Sequence, residues 1–248
     1  MNAAPLGGVF RVIEFFYAQI GNGRAGPTQL QTSLNLVNLA PSQASVRLDR
    51  FDSSGAPLEL AIEGLGTGSS FEFRLASGES RVLKTDGLGE LKAGYARVTT
   101  FEGVGGSAVF SQTHLPSGLL ETESGVPASL QGEEFSLFVD TTGDLDIGIA
   151  LVNPGQAVAG GDAMLELRLF DLRGQEIASR DLDLLTGHHT AMFVTELFAE
   201  VQGIDEMQGL LRISSPVPIV AVTLLQNDDP ATSFPEDVAT LTAFPVLP

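Results

Sequence analysis

The sequence predicts an all-β protein made of two tandem antiparallel β-sandwich domains, with at most one or two short helices. Three observations predict it. Short segments of alternating apolar and polar residues recur between turn signals at roughly the 8–12-residue spacing of sandwiches and barrels. Twenty-eight glycines and 13 prolines punctuate those segments. Three motifs also occur twice, in the same order.

The repeat is read from its anchors, since a missed repeat misreads the whole fold. Leu36-Val37-Asn38 recurs as Leu151-Val152-Asn153, 115 residues on. Gly94, Arg97 and Val98 are matched by Gly209, Arg212 and Ile213, again 115 residues on. Between these anchors Phe51, Asp52 and Gly55 are matched by Phe170, Asp171 and Gly174 at an offset of 119, the surplus fitting an insertion around Ala159-Gly160-Gly161.

The chain then divides into an N-terminal extension over 1–13, a first sandwich over 14–124, a short linker over 125–132 and a second sandwich over 133–248. Within the extension, Gly8, Val9, Phe10, Arg11, Val12 and Ile13 read as a strand with no place in the repeat, free to pair with an edge of its own sheet or a neighbour's. In the first repeat, Val46 to Phe51 alternates like a strand with one wet face, and Asp52-x-x-Gly55 suits a type I turn with a left-handed glycine. Gly64 to Gly68 reads as a hairpin tip and Phe71 to Leu75 as another alternating strand. Leu83 to Leu91 allows one helical turn at most. The link from Ser124 to Gly132 is small, polar and short, so the modules should touch rather than swing. In the second repeat Met164 to Phe170 alternates as its counterpart does, and Thr195 to Val201 could be a short helix capped by Thr195. Ser107 to Phe110 and Ile219 to Leu225 read as strands buried on both faces.

Composition excludes several functions. Thirteen basic against 31 acidic residues give a net charge of −18. Such a surface repels phosphate backbones and anionic lipid heads, so no nucleic-acid partner and no membrane insertion is expected. The absence of cysteine removes disulfides, thiolate metal sites and cysteine nucleophiles together. The first residues lack a secretion signal, so an exported form would have lost its leader, and Val217 to Leu225 is too short and proline-broken to span a bilayer.

Leu151-Val152-Asn153-Pro154, Phe170-Asp171 with Gly174, and Gly209 with Arg212 ahead of an apolar strand resemble tandem modules of uncharacterised exported bacterial proteins. The link Glu123 to Ala128 resembles the junction between two such modules. The likeness covers the chain past residue 14 and departs at Asn38-Leu39, where the proline is delayed to Pro41. It implies an immunoglobulin-like sandwich and an extracellular or cell-surface setting. It implies no activity.

The candidate chemistry is thin. His188 and His189 would point to opposite faces of a strand, and read as exposed loop residues rather than metal ligands. His114 lies near Ser111 and Ser117, but no Gly-x-Ser-x-Gly elbow occurs. Gly64-Leu65-Gly66 lacks the lysine and helix of a phosphate loop. Asp140, Asp144 and Asp146 place hard oxygens in one short stretch and are candidate calcium ligands, as is the Asn227-Asp228-Asp229 run; neither follows the EF-hand pattern, and turn residues explain both equally. No other cofactor is indicated. Without tryptophan, and with only Tyr17 and Tyr95, a sugar-stacking face has little to work with, and the 15 phenylalanines read as core. The expectation is a non-catalytic extracellular or cell-surface structural or interaction protein whose partner is protein, itself included, in a homo-oligomer or filament. The alternatives are a ligand-binding accessory module for polysaccharide or a surface partner, and a hydrolase with its site between the modules.

Overall fold

The computed structural model describes residues 12–155 and 161–227, and the backbone of two short strands at 239–241 and 244–245. The first half contains β1 (Ile13–Ala25), β2 (Thr28–Asn38), β3 (Ala44–Asp52), β4 (Leu60–Ile62), β5 (Gly66–Gly68), β6 (Ser70–Leu75), β7 (Ser80–Lys84), β8 (Lys92–Thr100), β9 (Val104–His114) and β10 (Leu119–Pro127). The second contains β11 (Gly132–Asp140), β12 (Leu145–Val152), β13 (Ala163–Asp171), β14 (Glu176–Leu184), β15 (His189–Phe193), β16 (Gln208–Asn227), β17 (Ala239–Leu241) and β18 (Phe244–Pro245). The all-β expectation holds. Among the described residues α1 (Val194–Leu197) is the one α-helix. Its N-cap is Phe193, whose N–H donates to Glu196 Oε2 (3.0 Å), so Thr195 is not the cap. The counterpart after β7 has no helix at all.

Each half builds two antiparallel ladders. In the first, β1-β8-β3-β6 is one ladder and β10-β9-β2-β7 the other, and β1 bends through an irregularity between Tyr17 and Ile20 so that its end also pairs with β2. In the second, β14-β13-β16-β11-β18 is one ladder and β15-β12-β16-β17 the other, with β16 serving both. The registers repeat as the anchors do. Phe51 opposes Tyr95 as Phe170 opposes Leu210, and Asn35 opposes Ser107 as Ala150 opposes Val222. The turn at Phe101–Gly103 separates β8 from β9, whereas β16 runs through the corresponding point.

The linker expectation is corrected. Gly125 to Pro127 belong to β10, and Ser129 exchanges both backbone hydrogen bonds with Phe16 (2.9 and 2.8 Å), so the first half extends to Ser129. Of the expected pairing strand, only Val12 and Ile13 are described. Ile13 opens β1 and opposes Thr100 of its own chain, and Val12 is exposed; Gly8, Val9, Phe10 and Arg11 lie outside the described residues.

The shared anchors have shared jobs. Asn38 is buried; its Nδ2 donates to the carbonyls of Ser42 (2.7 Å), Leu75 (3.1 Å) and Ala76 (3.0 Å), and its Oδ1 accepts from Ala40 N (2.9 Å). Asn153 repeats this with Leu184 O (3.0 Å), Gly161 O (2.9 Å) and Gly155 N (3.2 Å). Only a side-chain amide supplies both donors and an acceptor there. Asp52 Oδ1 accepts from Ser54 N (2.8 Å) and Ala56 N (3.0 Å), and Asp171 Oδ1 from Arg173 N (2.8 Å) and Gln175 N (2.9 Å), closing turns that end on left-handed Gly55 and Gly174. A Cβ on Gly94 would lie 2.0 Å from Phe51 O, and one on Gly209 2.0 Å from Phe170 O. The guanidiniums of Arg97 and Arg212 lie over the rings of Phe51 (5.3 Å) and Phe170 (5.1 Å). The repeated motifs are therefore backbone and packing devices.

Two apolar clusters result. One fills the first half and takes in Ala150, Val152, Val220 and Val222 of the second; the other is internal to the second half. The ladder holding β12 and the end of β16 is thus buried on both faces. Phe101 and Phe138 are exceptions to the reading of phenylalanine as core, being half exposed.

Candidate functional site

The two halves are joined where the Asp52–Gly55 turn meets the turn from Leu185 to His188. His189 N donates to Ser53 O (3.1 Å). Its ring bridges the modules, with Nε2 2.8 Å from Gln19 Oε1 and Nδ1 3.3 Å from Ser53 Oγ. Because Gln19 Oε1 only accepts, the ring proton sits on Nε2 and the Ser53 hydroxyl donates to Nδ1. Tyr95 stacks on Phe51 (5.0 Å between centroids), lies 6.3 Å from the His189 ring and donates its hydroxyl to Gly187 O (3.0 Å). The backbones touch so closely that a Cβ on Gly55 would stand 2.7 Å from Gly187 O.

This environment decides the histidine's chemistry. His189 is buried, which corrects the expectation of an exposed loop residue, while His188 is half-buried. Burial pushes its pKa from 6.5 down to about 4, so the ring is neutral near pH 7. The Ser53–His189 contact is the geometry of a nucleophile and its base, but a base this weak, oriented by an amide instead of a carboxylate, gains little from Ser53. The same burial raises the Tyr95 hydroxyl to about 12, keeping it a donor. The cluster is chemically suited to holding modules together.

Beside the joint lies a half-open cleft of about 310 Å³, with walls from both modules. Leu30 and Phe110 line it from the first half, and Ala191, Met192, Phe193 and Leu224 from the second. Ladder pairs Leu30–Gln112 and Thr32–Phe110 set one wall, and Gly148–Phe193 and Gly148–Leu224 the other.

The candidate calcium ligands are not brought together. Asp140 Oδ1 accepts from Thr142 N (3.1 Å) and Oγ1 (2.7 Å), and its Oδ2 accepts from Gln208 (2.8 Å). Asp146 accepts from Ile147 N (2.7 Å) and from the Thr195 hydroxyl, and Asp144 is exposed on the intervening turn. Among the described residues no group of three or more His, Asp or Glu is placed to share a metal ion. Asp228 and Asp229 lie outside the described residues. His114 sits at the β9–β10 turn with Nδ1 2.9 Å from Ser117 Oγ.

Sequence reasoning missed Gln19 and Ser53 and placed His189 on the surface. The signal was disagreement between the copies: Tyr95 stands where the second half has Leu210, and His189 where the first has Ser80. Among the described residues no helix is long and apolar enough to cross a membrane. No protein-family model, no curated protein and no solved structure matches this chain.

Proposed function

We propose that this chain is a non-catalytic extracellular or cell-surface structural and interaction protein, built of two immunoglobulin-like β-sandwiches and acting through protein contacts that include copies of itself. Two antiparallel ladders and an apolar cluster in each half support the sandwich part of this reading, while the strand order departs from that of immunoglobulin domains. Their F and G strands share a sheet, whereas the consecutive β8 and β9 here fall in different ladders.

One observation carries the reading. Terminal strands are natural pairing sites, and β14 is guarded along its length by Glu176, Arg180, Asp181 and Asp183, while β10, which carries Glu121 and Glu123 further on, opens on Leu119 and Leu120, each 58% exposed. An apolar strand end at a sheet edge favours a partner there. Light scattering of the purified chain over a concentration series, with and without calcium, tests this. An oligomer that dissociates in the double variant Leu119→Lys, Leu120→Lys supports the reading, and deletion of residues 1–11 separates this edge from an N-terminal pairing strand. A monomer at every concentration overturns it.

The alternatives have less support. Polysaccharide binding through Tyr17 and Tyr95 loses its platform, because both side chains are buried. A hydrolase between the modules would rely on His189, whose basicity burial has removed.

A further inference from the structure

A cleft of about 310 Å³ opens between the two halves, and its described lining is chemically selective. We propose that it is a binding site for an uncharged, planar aromatic molecule carrying a carbonyl or hydroxyl group. The proposal stands apart from the assembly reading and needs no oligomer.

Charge makes the first selection. In a chain of net charge −18, the cleft has a single ionisable side chain among its described lining residues, Glu196, and its Oε2 already accepts from Phe193 N at the start of α1 (3.0 Å). Among the described residues an anion meets no cation there, and a cation would have only that engaged carboxylate. Burying either charge without a partner is costly, so a neutral guest is favoured.

Shape and polarity make the second. Phe110 stands on one wall and Met192 with Phe193 on the other, side chains whose faces and sulfur suit an aromatic ring. Gln19, Gln31, Gln112 and Gln226 also line this apolar floor, the amide of Gln31 being held by Thr85 O (2.9 Å). Glutamine both donates and accepts, which fits a carbonyl or hydroxyl at the edge of a ring. The volume of about 310 Å³ is at the small end of the range for small-molecule sites, enough for a bicyclic molecule. Gln19 also holds His189, so the cleft's rim and the joint share one residue.

Prodan, a neutral naphthalene ketone whose emission shifts to the blue in apolar surroundings, is the probe. Titrated into the whole chain, it should bind saturably at one site, and 1-anilinonaphthalene-8-sulfonate, an anionic counterpart, should bind at least tenfold more weakly. Ala191→Trp, at an exposed position lining the cleft, should weaken Prodan at least tenfold without changing the melting temperature. If that variant alters folding, Gln112→Phe blocks the opposite wall. The proposal is overturned by the absence of a saturable shift, by equal binding of the anionic dye, or by undiminished binding in folded blocked variants.

Discussion

The same ladder positions face different worlds in the two halves. In the second half Ala150, Val152, Val220 and Val222 turn outward from their own core and are buried against the first. The matching positions of the first half hold Asn35, Val37, Gly105 and Ser107, all half-buried. The turns differ likewise. Gly55 meets Gly187 across the joint, while their counterparts Gly174 and Gly78 would have nothing within 4 Å of an added Cβ. What stays constant between the copies is what a backbone requires; what varies is what covers each face. A polar face where the other copy is apolar does not offer the same packing surface.

The comparison breaks first at its strictest point. Gly94→Ala and Gly209→Ala each place a carbon against a backbone oxygen in a close-packed ladder, and each should cost more than about 4 kcal/mol in urea unfolding. Unequal costs, with one glycine tolerated, would show that the two crossings are not equivalent.

The joint holds a buried histidine where the first half has Ser80. His189 has its folded pKa depressed from 6.5 to about 4, so the unfolded chain binds the proton first as pH falls. Its contribution is complete above pH 6.5 and is lost between there and pH 4, amounting to about 3 kcal/mol. Stability curves at several pH values should show that loss in the parent chain and not in His189→Asn, while Ser80→Ala at the matching position leaves the slope unchanged.

Asn38→Ala and Asn153→Ala should each cost about 2 kcal/mol, since each strands buried carbonyls that lose their donor. Equal values by denaturant unfolding would sharpen the equivalence of the two halves. The smallest effect separates the turns. Gly174→Ala meets only the strain of its left-handed backbone, about 1 kcal/mol, and Gly55→Ala should cost about 1 kcal/mol more because it also strikes Gly187 O. Hydrogen exchange at His189 N should rise in Gly55→Ala alone.

Much of the fold was legible because its devices are local. An Asp-x-x-Gly turn, an alternating strand and an asparagine after an apolar run each announce themselves within a few residues. Helix α1 was legible in place but not in its cap, because the choice between Thr195 and Phe193 rests on Glu196 reaching back and Asp146 drawing Thr195 away. The linker was misplaced because Ser129 is held by Phe16, more than a hundred residues earlier.

By itself, then, the sequence determined a twice-used β frame, its turns and the positions that glycine, asparagine and aspartate must occupy, since each answers to neighbouring backbone. Which histidine is buried, which sheet face is covered and where a cleft opens were decided only by tertiary structure. Those properties depend on residues such as Gln19, Ser53 and His189 that come together across the joint, and no spacing along the chain encodes that meeting.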